Sequence, residues 1–327
     1  MATKSELDSK TNTDVLPSYD AISFIQSKRQ SAQSVISWML GSKQTLTTQS
    51  QITALSRIRE LVTGPDVTPS SVAPIVNSCA ADLSAAKFSA LLQSRNIEGH
   101  SATYWAIVNN RPEALSAFTG FISKISSGCR SELRRACMDT SNHAAFMQLN
   151  LGRTKGPNDK PLLRSLGCPA DEIEVHEGNK LRQHQFIASF RFRMCRKRLY
   201  AKQNMSAEFV AGRRIWSLRI YMGSDANWHM MWRLSRHSLP AHPDAVVLIE
   251  AQRQGPGCAT KPQALRMQCK LEGQTFLVAN GCSVTSDCDT SRRHYMSVTL
   301  GDWLMDDNTV YLDDDGTLHA KLEMTLL

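Results

Sequence analysis

The chain lacks most of the features that declare a chemistry. It has no run of eighteen apolar residues, so no membrane-spanning helix is expected. Its opening stretch, M-A-T-K-S-E-L-D-S-K-T-N-T-D, has no apolar core of the kind a signal peptide needs. The nine cysteines are odd in number and scattered, and none forms a C-x-x-C pair. A disulfide framework or zinc finger is therefore disfavoured, and reduced thiols in the cytoplasm or nucleus fit better. The Asn204-Met205-Ser206 sequon would then go unused. No G-x-S-x-G elbow, phosphate-binding glycine loop or H-E-x-x-H occurs, so nucleophilic, nucleotide and metalloprotease chemistry lack their usual markers. Asp313, Asp315 and Gly316 imitate part of a calcium loop, but that register puts Tyr311 and Leu322 where oxygen ligands are required. His237, His242 and Cys258 match no zinc spacing. No enzyme, cofactor or metal is expected, although scattered Ser, His and Asp side chains could still meet in space.

What the chain does have is length and two distinct hydrophobic periods. Its 327 residues, 42% hydrophobic, suffice for two cores. A polar lead-in over 1–17 precedes a stretch of helical period from 18 to 152. Tyr19, Ile22, Phe24 and Ile25 begin a stripe that Val35, Ile36, Met39 and Leu40 continue. Ile52, Leu55, Ile58 and Leu61 repeat at helical spacing before Gly64. Residues Pro69 to Cys79 and Leu83 to Leu92 predict a short antiparallel helix pair. Ser131 to Met138 with Asn142 to Leu149 predicts a further, degenerate one. Helices this short are marginal alone, so stacking must supply most of their stability.

The stretch from Asn96 to Ile122 is the most specific. It reads as a polar turn with Gly99, a helix from Ala102 to Asn110, and a second helix opened by Pro112. This order resembles an ankyrin-type repeat, a unit that buries its apolar face only against stacked neighbours. The resemblance implies a partner-binding surface at the exposed turn, with Glu98, His100 and Ser101 as its contacts. No second copy matches cleanly, and an irregular all-α domain is the alternative.

Residues 153–180 are turn-rich and read as a linker, with a short acidic piece from Asp171 to Glu177. From 181 to 327 the period becomes two. Phe186, Ala188, Phe190, Phe192 and Met194 alternate with Gln185, Ser189, Arg191 and Arg193, and Trp216, Leu218, Ile220 and Met222 with Ser217, Arg219 and Tyr221. Leu265, Met267, Cys269 and Leu271 repeat the pattern, and Leu318, Ala320, Leu322, Met324 and Leu326 close it. Strict alternation buries one face and wets the other, and no helical crossovers separate the runs, so an antiparallel β-sandwich is expected. The fold class is thus α+β and multidomain.

The segment Gly212-Arg213-Arg214-Ile215-Trp216-Ser217-Leu218-Arg219-Ile220-Tyr221-Met222-Gly223 resembles the glycine turn and W-x-L-x-V-Y-x-x-G strand of MATH domains, the meprin and TRAF homology sandwich. Asp302-Trp303-Leu304 and Tyr311-Leu312-Asp313-Asp314-Asp315 resemble that family's ending. The resemblance covers roughly residues 185–327. It implies a shallow sheet groove that takes an extended peptide, a mode in which sheet edges and side-chain pockets share the work. Asp302 and Trp303 are the positions carried over for peptide contact, against an ordinary packing role for Trp303. The chain as a whole also resembles a group of proteins from mushroom-forming fungi, which implies no function.

These features point to a non-catalytic protein that captures an unidentified protein or extended peptide. The alternative comes from charge. The formal net charge is +8, and Lys180 to Arg219 holds Arg182, Arg191, Arg193, Arg196, Lys197, Arg198, Lys202, Arg213, Arg214 and Arg219 with Glu208 as the one acid. Such a stretch could neutralise nucleic-acid phosphates, giving salt-dependent binding. It could equally be a solvated sheet face followed by a charged hairpin loop, and no stacking aromatics accompany it.

Overall fold

A computed structural model of the chain describes residues 42–152, 163–178, 185–253, 262–270 and 295–326. The lead-in, the Tyr19–Leu40 stripe, residues 153–162 and 179–180 of the linker, Arg182 and Cys258 lie outside these residues. The described part combines a helical half with two antiparallel sheets, as an α+β chain should. Among the described residues no helix is long and apolar enough to cross a membrane.

Among the described residues, seven helices make up the first half: α1 (Ser42–Thr63), α2 (Pro69–Ala81), α3 (Ala85–Gln93), α4 (Ala102–Val108), α5 (Pro112–Thr119), α6 (Ser127–Asp139) and α7 (His143–Gln148). Their starts are set by local chemistry. Ser84, Ser101, Ser126 and Asn142 each cap a helix by accepting a backbone N–H in its first turn. Pro69 and Pro112 open α2 and α5, where a missing N–H costs nothing. On α1 the buried stripe is Ala54, Ile58, Leu61 and Val62, whereas Ile52 is exposed. The expected stripe was therefore displaced at its first position. Side-chain amides tie the helices together: Asn109 donates to the Val62 carbonyl at 2.7 Å, and Gln93 receives the Ser126 N–H at 2.8 Å. Phe88 meets Phe121 edge-on at 5.1 Å.

The second half holds β1 (Glu172–Glu177), β2 (Gln185–Phe192), α8 (Cys195–Lys202), β3 (Asn204–Ala211), β4 (Arg214–Met222), β5 (Trp228–Leu234), β6 (Pro243–Ile249), β7 (Leu265–Lys270), β8 (Met296–Thr299) and β9 (Leu318–Leu326). One sheet runs β1-β2-β9-β6-β7 and the other β3-β4-β5-β8, with every pair antiparallel. The inward residues of both sheets form one core, including Phe186, Phe190, Phe209, Trp216, Trp232 and Leu322. Trp216 is fully buried and its indole donates to the Ala211 carbonyl at 3.0 Å.

Two expectations need correction. The acidic piece read as linker is strand β1, paired to β2 from Glu172↔Arg191 to Glu177↔Phe186, so the β half begins near residue 171. The charged stretch read as a hairpin loop after Met194 contains helix α8, entered and left through left-handed residues Met194 and Gln203. That helix is held by burial of Cys195 and Leu199, one turn apart, in the sandwich core.

The two halves share a core. Phe209, Ala211 and Trp216 face the sandwich, while Val210 and Ile215 on the opposite face of the β3–β4 hairpin are buried among the helices. Burying two such side chains stabilises the contact by roughly 3–6 kcal/mol. Polar groups fix its geometry. The Arg134 guanidinium on α6 donates to both Glu208 carboxylate oxygens, at 2.7 and 3.3 Å, and to the Leu151 carbonyl at 2.7 Å. Glu208 also accepts from Ser235 at 2.6 Å. His143 Nδ1 accepts the Val210 N–H at 3.3 Å, and its Nε2 lies 3.1 Å from the Ile173 carbonyl.

Candidate functional site

Beside this junction lies a cleft of about 1050 Å³ whose walls come from both halves. The helical wall is Arg95, His100 and Tyr104 with Ser131, Glu132, Arg135, Met138 and Asp139 of α6. The facing wall is the β3–β4 turn, Gly212 to Ile215, with the Arg236–Leu239 turn and Glu177 at its sides. The volume slightly exceeds the roughly 300–1,000 Å³ of ordinary small-molecule pockets.

The helical wall is preorganised around a buried carboxylate. Glu132 accepts from Arg95 at 2.7 Å, lies 3.3 Å from His100 Nδ1, and takes the Ser101 N–H at 3.3 Å. His100 is further held by stacking on Tyr104, with ring centroids 3.9 Å apart. Its backbone closes a two-residue turn with Ile97, in which Glu98 and Gly99 both have positive φ. Burial, with Asp139 nearby, pushes the Tyr104 phenol up from its ordinary value.

The β wall is built on a second tight turn. Ala211 pairs with Arg214, so Gly212 and Arg213 are the two loop residues, at φ 57° and 55°. Such a pair of positive φ values suits the twist of a two-residue hairpin. Gly212 is required twice over, because a Cβ there would meet the Leu326 side chain at 2.7 Å. The Arg213 N–H is anchored by Ser141 Oγ at 2.8 Å, and the Gly212 N–H by Glu177 Oε1 at 2.7 Å. Arg214 donates to the carbonyls of Gly212 (2.8 Å), Leu239 (3.2 Å) and Pro240 (2.8 Å). Burial alone holds its guanidinium below the usual arginine value.

The residues expected to act from sequence are dispersed by this fold. Of the turn at Glu98–Ser101, only His100 lines the cleft. Glu98 is exposed and paired with Arg59 at 2.7 Å. Ser101 is 0% exposed, because it caps α4 and its backbone sits against Glu132, so it is no contact for a partner. Asp302 and Trp303 lie on a 3₁₀ turn, and neither lines the cleft. Trp303 packs against the sandwich core with Tyr311 at 4.9 Å, and Asp302 is exposed. These two do not share a site with His100.

The basic stretch is likewise divided. Arg191 and Arg193 both pair with Glu172, Arg196 with Asp307, and Arg198 with Asp171. Arg219 lies over the Tyr221 ring at 5.1 Å, and Lys197 is exposed on α8. Arg213 and Arg214 alone among the described candidates enter the cleft. Most of the described part of the stretch is thus tied up by carboxylates or a ring.

Sequence reasoning missed Arg95, Tyr104, Glu132, Arg135, Arg236 and Leu239 as lining residues. A partial signal existed for the junction. The runs Phe209-Val210-Ala211 and Ile215-Trp216 break strict alternation, which means burial on both faces of the hairpin. Among the described residues, Cys79, Cys129, Cys137 and Cys195 are free thiols. Among the described residues no cluster of His, Cys, Asp and Glu could hold a metal ion. No protein-family model matches the chain, and no curated protein is significantly similar to it.

Proposed function

We propose that this chain is a non-catalytic interaction protein that captures an extended segment of a partner protein in the cleft between its helical and β halves. The observation that carries the reading is the cleft itself: about 1050 Å³, walled by both halves, and set beside a shared core. Its principal polar groups are arginines, whose guanidinium groups present several N–H donors for recognition. Leu239, 64% exposed at the rim, and the stacked His100–Tyr104 pair add apolar surface for side chains of a bound segment.

The likenesses to ankyrin-type repeats and to the MATH sandwich agree with this reading, since both families bind proteins. They had placed the contacts on the helical turn and on a sheet groove near Asp302 and Trp303. The cleft reading moves the principal contact to the seam between the halves and keeps His100 from the first set. A display library of extended peptides, selected on the full chain and on Ser131→Trp, tests it. Ser131 is exposed on α6 and lines the cleft, so the indole fills the space without entering a core. Peptides enriched on the parent chain should be lost on the variant. Enriched peptides that bind both equally would place the capture surface elsewhere.

A further inference from the structure

The cleft is strongly unbalanced in charge. Six arginines line it, Arg95, Arg134, Arg135, Arg213, Arg214 and Arg236, against the carboxylates Glu132, Asp139 and Glu177. Two of the carboxylates are already paired. Glu132 holds Arg95 and the Ser101 N–H, and Asp139 lies 3.6 Å from Arg135, whereas Glu177 accepts the neutral Gly212 N–H and keeps its charge. Arg134 is neutralised from behind by Glu208.

That leaves three guanidinium groups on one wall. Among the described residues, no carboxylate lies within ion-pairing distance of Arg213, Arg214 or Arg236. Arg214 is held by three neutral backbone carbonyls, which fix its plane without cancelling its charge. Arg213 is presented from a hairpin turn clamped by Ser141, and Arg236 is exposed on the adjoining turn. Arg214 is half-buried and positioned, Arg213 and Arg236 are exposed beside it, and guanidinium groups without counter-charge are suited to the planar, two-oxygen geometry of carboxylate and phosphate.

Resting on the capture reading above, we infer that the captured segment is anionic: a peptide rich in carboxylates or carrying phosphate, with its negative groups on Arg213, Arg214 and Arg236. The opposite wall then receives the rest of the segment on the His100–Tyr104 stack. The unpaired charge that selects the ligand is concentrated on the β wall, and the aromatic contact on the helical one. An arginine-lined cleft attracts anions at a distance, so encounter should be fast at low salt and slow as salt rises.

The test uses fluorescence polarisation with the full chain and four labelled probes of similar length. These are a Glu/Asp-rich peptide, a phosphoserine peptide, a neutral Gln/Asn peptide and a single-stranded oligonucleotide. Arg213→Glu and Arg236→Glu are the main variants, because neither side chain supports the fold, and Lys197→Glu is the control outside the cleft. Circular dichroism confirms folding. We expect one or both anionic peptides to bind, the neutral one to bind at least tenfold more weakly, and each cleft variant to lose roughly tenfold or more in affinity while the control changes little. The two anionic arms separate carboxylate from phosphate recognition. Equal binding of the neutral peptide, or indifference to both cleft variants, would overturn the anionic inference and leave capture standing. If no peptide binds, the capture reading itself fails. Tighter binding of the oligonucleotide, with the same arginine dependence, would replace a peptide by nucleic acid and overturn the proposal.

Discussion

Truncating Glu208 to alanine should loosen the seam on which the cleft depends. The carboxylate is 7% exposed and sits between Arg134, which contacts both of its oxygens, and the Ser235 hydroxyl. Its removal leaves the Arg134 guanidinium buried, with only the Leu151 carbonyl and the face of Phe146 at 5.5 Å for company. Breaking a buried pair in this way costs about 3–5 kcal/mol, most of it from the stranded charge. Replacing both partners by apolar residues, Arg134→Met with Glu208→Leu, removes the stranded charge and should recover more than half of the loss. Urea unfolding, followed by both circular dichroism and tryptophan fluorescence, reads these differences. Because Val210 and Ile215 belong to the helical core, the parent chain should unfold in a single transition by both probes. Glu208→Ala should separate them, since all six tryptophans except Trp38 and Trp105 belong to the β half. A loss below 1 kcal/mol, or a double variant no better than the sum of the singles, would refute the argument that the pair locks the halves together.

Three further outcomes follow from individual residues. His143 is held neutral by burial, its pKa pushed below 6.5, while its Nδ1 accepts the Val210 N–H. The unfolded chain therefore takes up this proton first: the stability contributed is full above about pH 6.5 and is lost as pH falls from there toward the lowered folded value. The urea midpoint of the parent chain should drop between pH 7.5 and 5.5 more steeply than that of His143→Gln, and identical slopes would contradict this. Gly212→Ala should destabilise the chain by about 1–2 kcal/mol, since a side chain at positive φ is strained and its Cβ would press on Leu326; an unchanged melting temperature would count against the turn geometry. Burial pushes the Cys137 and Cys195 thiols up to about 12, so native-state alkylation followed by mass spectrometry should label Cys168 well before either; comparable rates would show that the two sites open readily.

The parts of the fold that could be read from sequence are those fixed by local pattern. Leu318, Ala320, Leu322, Met324 and Leu326 alternate without interruption, and each is buried in β9. Ser101 and Pro112 mark the starts of α4 and α5 by capping chemistry that acts within one turn. Helix α8 was hidden because C-R-K-R-L-Y-A-K offers only Cys195 and Leu199 as an apolar pair, too little to signal a period. Strand β1 was hidden because its alternation, E-I-E-V-H-E, is short and sits among acidic residues that resemble a loop. The cleft was the least legible element. Glu208 stands out in the sequence as a lone acid among bases, yet its partner Arg134 lies 74 residues earlier, and only the packed halves bring the two together. The same is true of His100 and Arg213, which local spacing assigned to two different surfaces.

The most direct measurement is affinity capture from host lysate with the full chain and Ser131→Trp side by side, after nuclease treatment and at low salt. The account predicts that at least one protein is retained by the parent chain and lost when the indole fills the cleft. Retention of the same proteins by both forms, or of nucleic acid alone in an untreated sample, would contradict the claim that the seam between the halves is the working surface.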